Sequence, residues 1–365
     1  MSGDRLRVGI VGANVEYGWG TRAHIPALLA LPEFELRAVA TTRMATAQQA
    51  AAQFGAPLAF DDARAMMAHP EIDLVIVCVR VPAHHALTLA AIEAGKHVFC
   101  EWPLGANLAE ATEMRDAAER AGVRHMVGLQ GRSGPAFIRL RALAAEGYFG
   151  EVLSVHLQQT LPGAGPRREI FAWAADRTKG ATTLSITAAH AIDAMNFALG
   201  DFAELSAIVD TRIRETTNLD TSALLTVTAS DHVLVSGRLA GGALVSVDSK
   251  SVPVHGTGFR LEVHGTDAMV RITARSGAQL SNLHLEGART GEAIHELPYE
   301  AGDRWVPDEL VNPPLNVAQL LRRFGEAIRE QRPADPDFNH AVRMHQLVDA
   351  IQHASDSGER VRVGA

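Results

Sequence analysis

Near the N-terminus the run Val8-Gly9-Ile10-Val11-Gly12-Ala13-Asn14 delivers a short apolar strand into a tight glycine turn. The pattern that follows confines the chain to few folds. Strand-like runs recur at Phe34 to Ala40, Leu74 to Val79, His97 to Cys100 and His125 to Leu129, between Ala-rich segments with helical spacing. Such alternation signals βαβ units around a parallel sheet. The helices read as Ala45 to Phe54, Ala83 to Glu93 and Leu108 to Ala121, running up to Gly55, Gly95 and Gly122. Glycine is the residue a left-handed helix C-cap prefers. From Val152 the pattern changes to strands between polar turns: Val152 to Gln158, Glu204 to Asp210, Ser222 to Thr228, Leu234 to Leu239, Ala243 to Ser249 and Phe259 to His264, with one helix over about Ser185 to Leu199. The expected fold class is α/β, a doubly wound parallel sheet followed by an α+β domain with an open, mainly antiparallel sheet. Expected domains are 1–127, for a nucleotide, and 128–365, for substrate and oligomerisation. In the second, Pro313-Pro314 precedes two amphipathic helices, Val317 to Glu330 and Asn339 to Ser355, expected to pack back across the structure.

Composition excludes several functions. A chain of 365 residues calls for two cores. Its net charge of −8 offers no basic surface for a phosphate backbone, so no direct nucleic-acid binding is expected. The longest apolar run, Leu74 to Val79, is too short for a bilayer, and the first residues lack an apolar signal core, so a soluble cytoplasmic protein is expected. Cys78 and Cys100 each end a buried-strand pattern and read as core thiols. The sixteen histidines show no zinc-like spacing, His84-His85 being adjacent, and no metal is expected.

Gly12, with Ala13 and Asn14, is placed to bring backbone amides to a pyrophosphate at the next helix's positive end, as in a Rossmann domain. A regular G-x-G-x-x-G has a glycine where Asn14 stands, and Gly18 and Gly20 arrive late, implying a lengthened loop. After the second strand, where NAD-preferring domains carry an acid for the ribose hydroxyls, this chain has Ala40-Thr41-Thr42-Arg43. Arg43 can pair with a 2′-phosphate and Thr42 can donate to it; the plainer reading is a solvated arginine opening a helix, against the helix dipole. NADP(H) is therefore expected as the preferred cofactor, with NAD(H) possible.

Further on, Ala94-Gly95-Lys96-His97-Val98-Phe99-Cys100-Glu101-Trp102-Pro103-Leu104 resembles the signature of the Gfo/Idh/MocA oxidoreductases, relatives of glucose-fructose oxidoreductase and inositol dehydrogenase. The resemblance extends to Pro70-Glu71-Ile72-Asp73, His84, Gly147-Tyr148-Phe149-Gly150-Glu151-Val152 and the closing Ser357-Gly358-Glu359-Arg360-Val361. It implies redox chemistry on sugars, cyclitols and related carbonyl compounds, and homo-oligomer contacts through the C-terminal sheet. It also implies cofactor contacts at His84 and Glu101. Two departures stand out. Trp102 occupies the place of the signature's lysine, which helps move the proton accompanying hydride transfer. The stretch Gly180 to Asp193 keeps His190 but puts Ile186 where the family has a carboxylate four residues earlier. Gly12-Ala13-Asn14, Gly18-Trp19, Glu101-Trp102, Leu129-Gln130-Gly131-Arg132 and the Thr-rich stretch before His190 resemble the fungal galactose-pathway repressor subgroup, which binds a nicotinamide dinucleotide without known need for turnover.

Of the remaining groups, His190 is the acid/base candidate, since an imidazole exchanges protons near neutral pH. Asp193, three residues on, is placed to orient it or to serve a structural hydrogen bond. Trp102 reads either as an aromatic face for nicotinamide or a sugar ring, or as a filler of the vacated lysine pocket. Arg132 and Lys179 are candidates for substrate binding, and equally for solvated or ion-paired charges. Two functions follow: an NADP(H)-dependent oxidoreductase acting on a sugar-like or other hydroxyl or carbonyl compound, and a non-catalytic dinucleotide-binding regulator whose second-domain sheet binds itself or a partner protein.

Overall fold

Strand β1 (Leu6–Val11) lies at the centre of a six-stranded parallel sheet, flanked by β2 (Phe34–Ala40) and β4 (Leu74–Val77). With β3 (Leu58–Phe60), β5 (His97–Glu101) and β6 (His125–Gly128) the order is β3-β2-β1-β4-β5-β6. The strand order reverses between β1 and β4, and Val11 stands level with Ala40 on one side and Val77 on the other. Ligands of open α/β sheets bind at that reversal, outside the strands' carboxyl ends. All four residues of β4 are buried, as expected of a strand covered on both faces. The helices of this sheet are α1 (Ile25–Leu29), α2 (Met44–Phe54), α3 (Ala63–Met67), α4 (His84–Glu93) and α5 (Leu108–Ala121). Asn107 caps α5 by accepting from the Glu110 amide, and Gly122 ends it at φ 66°.

The computed structural model describes residues 5–364, and two units emerge: Met1–Leu129 with Val306–Arg343, and Gln130–Trp305 with Met344–Ala365. In the first, Phe324 of α9 (Pro314–Arg329) meets Phe99 of β5 with ring centres 6.3 Å apart. The second unit opens with α6 (Pro135–Ala145) and is built on a nine-stranded sheet. Its strands are β7 (Val152–Pro162), β8 (Phe202–Asp210), β11 (His232–Leu239), β12 (Leu244–Val252), β13 (Gly258–Gly265), β14 (Ala268–Ala274), β15 (His284–Arg289), β16 (His295–Glu296) and β17 (Val361–Arg362), in the order β16-β15-β14-β13-β7-β12-β11-β8-β17. Only β7 and β12 run parallel, so the sheet is mixed and mainly antiparallel. The long helix α10 (Phe338–Ser357) begins in the first unit and ends in the second. No helix among the described residues is long and apolar enough to cross a membrane.

Two expectations need correction. The strand expected over Ser222 to Thr228 shortens to β10 (Leu224–Thr226), which leaves the main sheet and pairs with β9 (Glu215–Thr217) in a ribbon. Leu224 and Thr226 are exposed, so no buried face holds that strand to the sheet. The helix expected from Ser185 begins as a wider π-type segment, Thr183–Ala188, and becomes α8 (Ala189–Leu199); the short α7 (Glu169–Ala172) precedes both. Thr182 opens the π segment with a capping box, its hydroxyl accepting from the Ser185 amide while Ser185 Oγ accepts from the Thr182 amide.

Candidate active site

In the first unit the glycine turn is sterically obligatory. Gly12 has φ +102°, and a Cβ there would fall 2.1 Å from the Cys78 carbonyl oxygen at the end of β4. A side chain is excluded by both backbone conformation and space. The loop after it is longer than in a regular fingerprint and is held by its own atoms: Asn14 Oδ1 accepts from the Glu16 amide at 2.8 Å, and the Asn14 carbonyl accepts from Thr21 Oγ1 at 2.5 Å. Gly20 then opens a π-type turn, Gly20–His24, leading into α1, and a Cβ on Gly20 would lie 3.0 Å from the Gly12 carbonyl. Gly20 thus allows the helix-to-turn approach that the last fingerprint glycine ordinarily allows. These residues fit a dinucleotide pyrophosphate.

At the end of β2, Thr42 and Arg43 are exposed, and Arg43 is the N-cap residue of α2 without a side-chain capping bond. Among the described residues no carboxylate pairs with Arg43. His84 is buried, and its two ring nitrogens lie 2.8 Å from the Pro103 carbonyl and 3.1 Å from that of Val79. Burial opposes its protonation, but the Cys100 sulfur and the two carbonyls outweigh it and hold its pKa up at about 9. His84 therefore pins the loops after β4 and β5 and keeps no ring nitrogen for a ligand. Glu101 ends β5 with Oε1 2.5 Å from His24 Nε2, beneath Gly128, where a Cβ would collide with the carboxylate at 2.7 Å. His24, Cys78 and Glu101 bring three ligand-type atoms within 4.8 Å of one another. Burial and the Glu101 charge push the Cys78 thiol pKa well up. Trp102 is 4% exposed, which favours the filling role over an open stacking face.

In the second unit, His190 is buried on α8, one turn beyond Ile186. Arg132 and Asp193 form a two-pronged pair, Nε to Oδ2 at 3.0 Å and Nη2 to Oδ1 at 2.7 Å, with both side chains buried. Of the two readings of Arg132, the pair with Asp193 fits the ion-paired one. Lys179 is exposed in the turn Arg177–Lys179. A cavity of about 180 Å³ lies instead against the π segment, walled by Thr182, Thr183, Ile186 and Thr187 together with Arg167 and Ser251. Arg167 is absent from the candidates drawn from the sequence. Its only local signal is an arginine pair in the Gly/Pro-rich stretch Gly163-Ala164-Gly165-Pro166-Arg167-Arg168.

Residues 6–129 match the model of an oxidoreductase family with an NAD-binding Rossmann fold, GFO_IDH_MocA, and residues 135–274 match the Gal80p C-terminal domain. The chain is similar to dehydrogenase aclE of Aspergillus oryzae, 34% identical over 213 residues, covering 56% of this chain and 57% of that protein's length. It is 26% identical to the galactose/lactose metabolism regulatory protein GAL80 of Saccharomyces cerevisiae, covering 82% of this chain and 73% of the relative. It is 28% identical to levoglucosan dehydrogenase of Pseudarthrobacter phenanthrenivorans, covering 95% of each. A structure of levoglucosan dehydrogenase with NADH and levoglucosan superposes with a TM-score of 0.86 at 24% identity, over 99% of this chain and all of that one, which shows a shared fold.

Proposed function

The chain belongs to the Gfo/Idh/MocA oxidoreductases through its NAD-binding Rossmann domain, which is joined to a Gal80p-like C-terminal domain, and from that premise we propose that it is an NADP(H)-dependent oxidoreductase of a sugar-like hydroxyl or carbonyl compound. The observation that carries this reading is the retained His190, buried one turn from Ile186 on the wall of a cavity that also presents Arg167 and the hydroxyl side chains of Thr183 and Ser251. A nicotinamide dinucleotide, whose pyrophosphate Gly12 and the turn after it would hold, would supply hydride-transfer chemistry. His190 moves the companion proton at an imidazole nitrogen, taking it from the hydroxyl in oxidation and giving it back in reduction. Asp193 acts as a positioning group through its bond with Arg132, and Thr42 and Arg43 receive the 2′-phosphate that distinguishes NADP(H). In register on the sheet, Ile208 of β8 and Leu234 of β11 expose apolar side chains side by side, which supports self-association through that face.

A second reading, a dinucleotide-binding regulator, is favoured by the buried Trp102 standing where the family has its lysine. A single-turnover measurement of nicotinamide absorbance separates the two. Protein carrying stoichiometric NADP⁺ or NADPH is mixed with sugars, sugar acids, cyclitols and aldehydes, beside His190→Ala. Transfer that falls by roughly 10²- to 10⁴-fold in the variant is expected. Tight cofactor binding with no transfer from any compound would replace the oxidoreductase by the regulator.

A further inference from the structure

Among the described residues, Arg167 is the one cationic side chain lining the 180 Å³ cavity. Its guanidinium makes no ion pair or hydrogen bond to any described residue, and its Nε is fully buried. Burial lowers its pKa. The surrounding carboxylates are engaged elsewhere. Asp220 accepts from the Glu169 amide at 2.7 Å and pairs with Arg168, and Glu169 accepts from Asn218. Asp231, on the wall of the same cavity, accepts from the amides of Arg212 and Ile213 at 2.9 and 2.7 Å and lies 2.7 Å from His232 Nδ1. The Arg167 backbone is fixed: its amide donates to the Thr217 carbonyl at 3.0 Å and its carbonyl accepts from the Leu219 amide at 2.8 Å.

A partly desolvated cation without a counter-charge is costly unless an anion arrives. Ile186 lines the same cavity, and a carboxylate at that position would quench Arg167 from within the protein. With isoleucine there, the charge is left for a ligand. Beside apolar Ala164, Ile213, Val227 and Ala229, the walls offer hydroxyls, Thr183 Oγ1 and Ser251 Oγ standing 2.8 Å apart. At roughly 30 Å³ per water, the volume is that of about six waters, the scale of a small polyol.

We propose that this cavity is an acid-recognition subsite, so that the substrate of the oxidoreductase is a polyhydroxylated carboxylate whose carboxylate sits on the Arg167 guanidinium and whose hydroxyls meet the Thr and Ser wall. The inference rests on the oxidoreductase reading for the word substrate and on Arg167 for the chemistry. A single guanidinium fork matches a carboxylate's two oxygens, whereas a phosphate dianion would call for more positive charge than the cavity supplies.

The test is calorimetric titration of the NADP⁺-loaded protein with gluconate, glucuronate, glucose 6-phosphate and glucose, repeated for Arg167→Met and Arg167→Lys. Expected are acids binding roughly tenfold to a hundredfold more tightly than glucose, that advantage lost in Arg167→Met and partly kept in Arg167→Lys, with glucose binding unchanged. Equal affinity for acid and neutral sugar, unchanged acid affinity in Arg167→Met, or a preference for the phosphate would each overturn the subsite. Hydride transfer on neutral sugars alone, unaffected by Arg167→Met, overturns this inference and leaves the proposed function standing. Arg167-dependent acid binding with no hydride transfer upholds the subsite and overturns the oxidoreductase.

Discussion

The two units contain the same device in different surroundings. In the first, Arg7 forks onto Asp73 with Nε to Oδ2 at 2.9 Å and Nη2 to Oδ1 at 2.6 Å; in the second, Arg132 grips Asp193 with nearly the same geometry. The side chains of the first pair are 37% and 30% exposed, those of the second 5% and 1%. Each unit also keeps an arginine at its candidate site without an ion-pair partner among the described residues, Arg43 in one and Arg167 in the other. The difference teaches that fork geometry does not set an ion pair's weight. Burial does, because a guanidinium removed from water depends on its partner. Pairing likewise separates arginines that build the protein from those left to receive an anion.

Breaking the buried fork should have the largest effect. Arg132→Met leaves Asp193 charged and enclosed, and a loss of about 3–5 kcal/mol in urea unfolding is expected. A loss no larger than that of the surface pair would erase the contrast. Next comes the unpaired arginine of the first unit: Arg43→Glu should weaken NADPH binding roughly tenfold to a hundredfold in a fluorescence titration and leave NADH unaffected. Equal change for both cofactors would show that Arg43 does not read the 2′-phosphate.

The smallest effect belongs to the surface fork. Asp73→Asn should cost under about 1 kcal/mol near neutral pH, since both partners are half in water. Partial burial raises the Asp73 pKa, but the hydrogen bonds from the Arg7 side chain and amide outweigh it, leaving the folded pKa below the ordinary carboxylate value. A depressed folded pKa gives stability that is present above the unfolded pKa and lost as pH falls through the folded one. The acid limb of the unfolding curve should therefore flatten in Asp73→Asn below about pH 4, and an unchanged limb would remove the pair from the stability of the first unit.

The first unit was largely legible along the chain. Its strands alternate with helices whose ends carry Gly55 and Gly122, both with positive φ, and such signals act within a few residues of one another. The lengthened loop was legible from the late Gly18 and Gly20, while the approach of Gly20 to the Gly12 carbonyl needed the folded turn. The second unit was legible in outline only. Strand β14, with Ala268, Val270, Ile272 and Ala274 on its buried side, carries a readable alternation. The ribbon of β9 and β10 was not readable, because an alternating run does not state which sheet will cover its face.

At the site itself, the sequence alone determined which atoms are present: a glycine at the end of β1, no acid after β2, an imidazole at 190 and isoleucine at 186. Those are matters of local backbone and residue type. Only the tertiary structure decided which charges are neutralised. Arg132 finds its acid 61 positions away, and Arg167 passes three nearby carboxylates already held by Arg168, Asn218 and the Arg212 and Ile213 amides. Electrostatic pairing depends on distance through space and on exclusion of water, and neither is written in the order of residues along the chain.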